Sequence, residues 1–129
     1  MIALDTNVVV RLLVDDDPAQ TRRARKLLET RTTLVLPTVL LETEWVLRGA
    51  YEIGRLAIAA SVRKLLGLPN ITLGNAHAIA QALAWFEAGM DFADALHLAL
   101  AGEAEGFVTF DARLAKRARR ITARSVAVL

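Results

Sequence analysis

The sequence predicts an α/β protein: a three-layer α/β/α sandwich around a central, mostly parallel β-sheet. Three observations predict it. Short apolar or β-branched runs alternate with longer amphipathic stretches from one end of the chain to the other, the pattern of parallel strands joined by helical crossovers. Alanine (23 residues) and leucine (21 residues) dominate the composition, and both are strong helix formers. A chain of 129 residues suits one domain, residues 1–129, large enough to bury its own core.

Met1 to Leu4 is apolar and ends at Asp5, which reads as a buried first strand. Asn7 to Val14 fits either a short helix or a strand extension, because Val8, Val9 and Val10 favour strands. Asp17 is placed as an N-cap with Pro18 at the first helical position. The polar, basic helix that follows runs to about Thr30 and buries Ala24, Leu27 and Leu28. Thr32 to Leu36 is a second strand, stopped by Pro37. Thr38 is expected to cap a helix from Val39 to about Ala50. Gly54 separates it from a helix over Arg55–Leu66, which ends at Gly67. Asn70 to Leu73 is a third strand. Asn75 caps a helix from Ala76 to about Ala88, closed by Gly89. Met90 to Ala104 reads as a further helix. Phe107 to Phe110 is a strand that stops at Asp111, followed by a basic helix to about Arg120 and a last strand over Ser125–Leu129.

The composition narrows the chemistry. There is no cysteine, so a disulfide framework, a thiolate zinc site and a cysteine nucleophile are excluded. Two serines (Ser61, Ser125) and two histidines (His77, His97) offer no nucleophile elbow and no histidine pair at zinc spacing. Carboxylates are the tools left. No apolar run reaches the roughly 18 residues of a membrane span. The N-terminus has no charged leader and meets Asp5 too early for a signal peptide, so a cytoplasmic location without membrane association is expected.

The net charge of +2 is unevenly spread. Residues 113–129 hold six bases and no acid, while the first 112 residues hold 10 bases and 14 acids, a net of −4. The basic run fits a solvated helix face, or a contact surface for phosphates or an acidic partner.

Asp5 and Asp111 each follow an apolar strand. In a parallel sheet the C-terminal strand ends form the ligand crevice, although aspartate in such a place also fits a helix cap. Glu42 lies among Leu40, Leu41, Val46 and Leu47, at the edge of a buried face. Glu44 is about 200° around the same helix and is expected to be the solvated one. Asp91 and Asp94 stand three apart at the start of an apolar helix, Asp91 as its cap and Asp94 at a core boundary. Four acids on four elements, if they converge, suit a hard divalent cation such as magnesium or manganese. Without a cation, like charges would raise each other's pKa values. His97 is read as a packed core histidine, His77 as exposed, and Trp45, Trp85 and Phe86 as packing residues. Arg11 is expected to pair with an acid.

Four segments in order carry a family likeness: Asp5-Thr6-Asn7 closing the first strand, residues 36–48 (LPTVLLETEWVLR), residues 91–99 (DFADALHLA), and residues 108–111 (VTFD) before a basic helix. Together they resemble a PIN domain, and in particular the VapC-like toxins of bacterial and archaeal toxin–antitoxin pairs. The resemblance implies a Mg2+- or Mn2+-dependent endoribonuclease that cuts structured RNA of the tRNA or ribosomal class. It carries the acidic cluster over to Asp5, Glu42, Asp94 and Asp111 as catalytic metal ligands. Asp91, Thr6, Asn7 and Thr109 are expected to orient ligands or water around them. Arg113, Lys116 and Arg117 are expected to contact RNA phosphates. The resemblance further implies a cognate antitoxin partner and a homodimer.

Two other readings stay open: a PIN-fold RNA-processing nuclease without an antitoxin, and a non-catalytic module that binds RNA or protein. Phosphoryl transfer through a phosphorylated aspartate fits poorly. Asn7 stands where a second aspartate would be needed, and Lys116, the only lysine after residue 64, lies within a helix rather than at a strand end.

Overall fold

A computed structural model describes all 129 residues as seven helices and five short strands, β1 (Ile2–Ala3), α1 (Thr6–Leu13), α2 (Pro18–Thr30), β2 (Thr33–Val35), α3 (Pro37–Gly49), α4 (Arg55–Leu66), β3 (Ile71–Leu73), α5 (Ala76–Glu87), α6 (Phe92–Leu100), β4 (Phe107–Thr109), α7 (Ala112–Ile121) and β5 (Val126–Val128). The α/β class and the parallel pairing agree with the sequence. The chain divides into two compact units, Met1–Ala76 and His77–Leu129. Each has its own parallel sheet, so the hydrogen-bonded strands form two ladders where the sequence suggested one.

In the first unit the strand order is β1-β2-β3. Ile2 and Ala3 lie beside Thr33 and Leu34, and Thr33 to Val35 lie beside Ile71 to Leu73. Each parallel pair is connected through two helices, as parallel strands require a long crossover. The ambiguous valine segment is helical: Val9 and Val10 are buried on α1, which packs against α2, α3 and α4. Tertiary burial overrides the β-preference of valine there. Asp17 caps α2, its Oδ1 accepting the Gln20 N–H at 3.1 Å, with Pro18 at the first turn. Asn70 enters β3 in the left-handed region (φ 65°), which asparagine tolerates. Its side-chain amide donates to the Leu28 carbonyl at 2.9 Å, and its own carbonyl accepts from Thr33 Oγ1 at 2.8 Å.

Three expectations for this unit need correction. Thr38 does not cap α3. The helix starts one residue earlier, at Pro37, and its N-cap Leu36 makes no side-chain cap bond. Proline fits that position because the missing N–H would be unpaired in any case. Glu44 is buried, at 4% exposure, and Glu42 is exposed. The face of α3 turned inward carries Leu40, Thr43, Glu44 and Leu47. Trp45 is not a packing residue; it is 66% exposed.

In the second unit β4 and β5 pair in parallel, Phe107 to Thr109 beside Val126 to Val128, and α7 packs against both. Gly89, at φ 121°, ends the α5 segment in a conformation that glycine adopts without strain. The next helix is shorter than the sequence suggested. It begins after the cap at Asp91 and ends at Leu100, before Gly102 and the acidic, alanine-rich turn. Phe86 and Phe92 meet edge to face, with ring centroids 5.4 Å apart. Arg124 sits over the Trp85 ring at 5.7 Å and donates to Gln81 Oε1 at 3.1 Å. No helix is long and apolar enough to cross a membrane.

Candidate metal centre

Three of the four candidate carboxylates sit at helix starts. A strand ending in aspartate leaves its backbone extended, and the carboxylate turns back onto the first N–H groups of the next helix. Asp5 follows β1 and caps α1; its Oδ1 accepts the Thr6 N–H at 2.8 Å. Asp111 follows β4 and caps α7; its Oδ1 accepts from the Arg113 and Leu114 N–H groups at 2.9 and 3.1 Å. In both residues the cap uses Oδ1 alone, so Oδ2 remains free to accept a hydrogen bond or to coordinate a cation. The capping reading and the functional reading are therefore compatible.

Asp91 caps α6, its Oδ2 accepting the Asp94 N–H at 3.3 Å. Asp94 is half-buried in the first turn of α6, and its carboxyl is held above the ordinary carboxylate range. Burial is the main cause, followed by the charges of Asp91 and Asp111; His97 opposes them. The second unit thus brings Asp91, Asp94 and Asp111 within electrostatic reach of one another. Thr109 Oγ1 accepts the Asp111 N–H at 2.9 Å, so the threonine before the strand end steadies the backbone that aims the carboxylate.

In the first unit Glu42 stands exposed on α3, Thr6 is buried and Asn7 is exposed. No three aspartate, glutamate or histidine side chains of the chain gather closely enough to form a metal-binding group, so the structure does not bring the four candidate acids together. His97 is exposed rather than packed, and His77 is exposed as expected. Arg11 pairs with Asp16 at 2.9 Å, as expected of a base near acids. Arg113 and Lys116 project into solvent. Arg117 is also exposed, but its Nη1 donates to the Gly89 carbonyl at 2.8 Å, which ties α7 to the turn after α5.

A family model described as PIN domain matches residues 2–120. The chain belongs to the PIN domain family. The match runs through both units and takes in Asp5, Glu42, Asp94 and Asp111. No curated protein matches the chain. PIN domains are generally nucleases, usually dependent on divalent metal, so membership supports a hydrolase that binds and acts on nucleic acid.

The candidate residues of this PIN domain are not gathered into a metal-binding group, but their donor chemistry suits such a cation. The donors are all carboxylate oxygens, the hard ligands that magnesium and manganese prefer. Asp94 also stands where burial and two like charges disfavour its ionised form, an arrangement that a bound cation reverses.

Sequence reasoning missed two features. One is the burial of Glu44, whose Oε1 accepts from Arg48 Nε at 3.0 Å. The other is a hydrogen-bonded cluster in which Tyr51 joins Arg11 and Asp16. The only advance signal for the cluster was the Asp15-Asp16-Asp17 run beside a lone arginine.

Proposed function

We propose that this PIN domain is a Mg2+- or Mn2+-dependent endoribonuclease that acts as the toxin of a toxin–antitoxin pair. On this reading, which rests on the family likeness of their motifs, Asp5, Glu42, Asp94 and Asp111 are the residues that would hold the cation. The observation that carries the reading is the PIN-domain match over residues 2–120, which takes in these four acids; the half-buried place of Asp94 near Asp91 and Asp111 accords with it. A bound divalent cation supplies Lewis acidity toward water and toward the phosphate.

The protein's own groups do the rest. Asp91 and the start of α6 set the position of Asp94. Thr109 and the first turn of α7 set that of Asp111, and Thr6 and Asn7 open the helix that Asp5 caps. Arg113 and Lys116 hold the RNA backbone, because an acidic pocket by itself repels phosphate. The toxin role, the cognate antitoxin and the homodimer rest on the likeness of the DTN, LETEWVLR, DFADALHLA and VTFD segments to VapC-like toxins.

The test is cleavage of tRNA and ribosomal RNA by purified, antitoxin-free protein. Activity with magnesium or manganese, its loss with EDTA, and its loss in folded Asp5→Ala and Asp94→Ala variants are the expected results. Equal cutting by those variants would refute the assignment. A small reading frame for a DNA-binding protein directly upstream would support the toxin role over RNA processing.

A further inference from the structure

Two helices of the first unit line an open cleft that none of the four candidate metal ligands lines. It has a volume of about 450 Å³ and lies between α1 and α2, walled by Asn7, Val8, Arg11, Gln20, Arg23 and Leu27. Its size is in the range of small-ligand pockets, roughly 300–1,000 Å³. Asn7 is on the first turn of α1, two residues from Asp5, which caps that same helix. The cleft therefore begins on the first turn of the helix that Asp5 caps and runs about 6 Å along α1 to Arg11.

Its polar groups are differently occupied. The Arg11 charge is already offset: Nη1 donates to Asp16 Oδ1 at 2.9 Å and to the Tyr51 hydroxyl at 3.2 Å. Arg11 Nε donates to Gln20 Oε1 at 2.7 Å. That bond fixes the Gln20 amide with its oxygen toward Arg11, leaving the NH2 group as a donor. Arg23 is exposed and makes no ion pair or hydrogen bond. It is the uncompensated charge of the pocket, on a helix that also carries Arg22, Arg25 and Lys26 against the single acid Glu29. Val8 and Leu27, both half-buried, supply apolar wall.

A free guanidinium, an oriented amide donor and an apolar wall, starting on the helix that a candidate metal-binding aspartate caps, match one chemistry. We propose that this cavity is a nucleotide subsite for single-stranded RNA flanking the cleaved bond, with Arg23 on a phosphate and Gln20 donating to a base carbonyl. The proposal rests on the ribonuclease reading above. The guanidinium fork suits phosphate oxygens, and the apolar wall takes a ribose or base face.

The test compares Arg23→Gln with Arg22→Gln, which removes the same charge from the same helix outside the cavity. Binding of a fluorescein-labelled single-stranded RNA is followed by anisotropy in Mg2+, and cleavage is followed by KM and kcat. Arg23→Gln should weaken binding about tenfold and flatten the plot of log K against log salt by about 0.7, one single-strand phosphate contact. It should raise KM with kcat near wild type. Arg22→Gln should change affinity less than about twofold on the same scale. Equal effects of the two variants would reduce Arg23 to diffuse charge and overturn the subsite. An Arg23→Gln protein that binds and cuts like wild type would overturn it too, leaving the ribonuclease reading intact. Failure of the wild-type protein to bind or cut RNA with either metal would remove both.

Discussion

The Tyr51 hydroxyl donates to Asp16 Oδ2 at 2.7 Å, across 35 residues of chain. That bond joins the acidic turn after α1 to the segment between α3 and α4, and Arg11 lies between them, bonded to both partners. The Asp16 carboxyl is held below the ordinary range, first by the Tyr51 hydrogen bond and then, against some burial, by Arg11. A depressed carboxylate stabilises the folded state above its unfolded pKa of about 3.8, and the contribution fades as pH falls through the lower folded value. Tyr51→Phe should therefore lower the melting temperature at pH 7, and the deficit should narrow as pH drops below that value. A deficit equal at pH 7 and pH 3 would show that the phenol acts by packing alone.

Asp94 has the opposite sign. Its folded pKa lies above the unfolded 3.8, so the folded state holds its proton longer. Stability is then lost as pH rises from that value through the folded pKa. Asp94→Asn, measured without divalent metal, should raise the melting temperature at pH 7 and make no difference at pH 3. The same variant should abolish metal-dependent cleavage, a common exchange of stability for function at such sites. A variant less stable than wild type at pH 7 would show that Asp94 has a structural partner.

Divalent metal should stabilise the wild-type protein by mass action, by about 2.7 kcal/mol at a hundredfold excess over Kd. Thermal scans with Mn2+ and Mg2+ should show the rise, and EDTA should reverse it. Asp5→Asn and Asp94→Asn should each lose most of it. An undiminished rise in both would place the cation elsewhere on the chain.

Glu44 is the buried carboxylate of α3, and Arg48, one turn on, reaches it from a half-exposed position. Removing the arginine leaves a buried acceptor without its donor, which costs about 1–3 kcal/mol. Arg48→Ala should shift the denaturant midpoint by that amount. Adding Glu44→Met should recover most of the loss, because an apolar side chain of similar shape has no charge to satisfy. No recovery in the double variant would show that the arginine stabilises through its other contacts.

Much of the local structure was legible in the residues. Asp17, Asp91 and Asp111 cap helices where an aspartate follows a strand or turn, and Gly89 ends one where a positive φ is needed. Those are short-range rules: each depends on a side chain meeting a backbone N–H a few positions away. The four acidic positions of the proposed site stand out in the sequence for a related reason. Each opens or lies near the start of a helix after a strand, or sits in an otherwise apolar helix.

The choice between Glu42 and Glu44 was not legible. Glu42 has Val39 and Val46 three and four positions away and Glu44 has Leu40, Leu41 and Leu47, and helical periodicity identifies two apolar-flanked faces without saying which one the neighbouring helices cover. Packing turned Glu44 inward beside Leu40 and Leu47 and left Glu42 and Trp45 outside. The Arg11–Asp16–Tyr51 cluster, the cavity between α1 and α2, and the electrostatic meeting of Asp94 with Asp111 depend in the same way on contacts between residues far apart in sequence. The sequence by itself determined most of the order of elements, the aspartate caps at Asp17, Asp91 and Asp111, and an inventory that leaves carboxylates as the available chemical tools. Only the tertiary structure decided which carboxylates are buried, which bases are already paired, and that the strands are hydrogen-bonded as two parallel ladders, because burial and charge pairing arise between elements rather than within them.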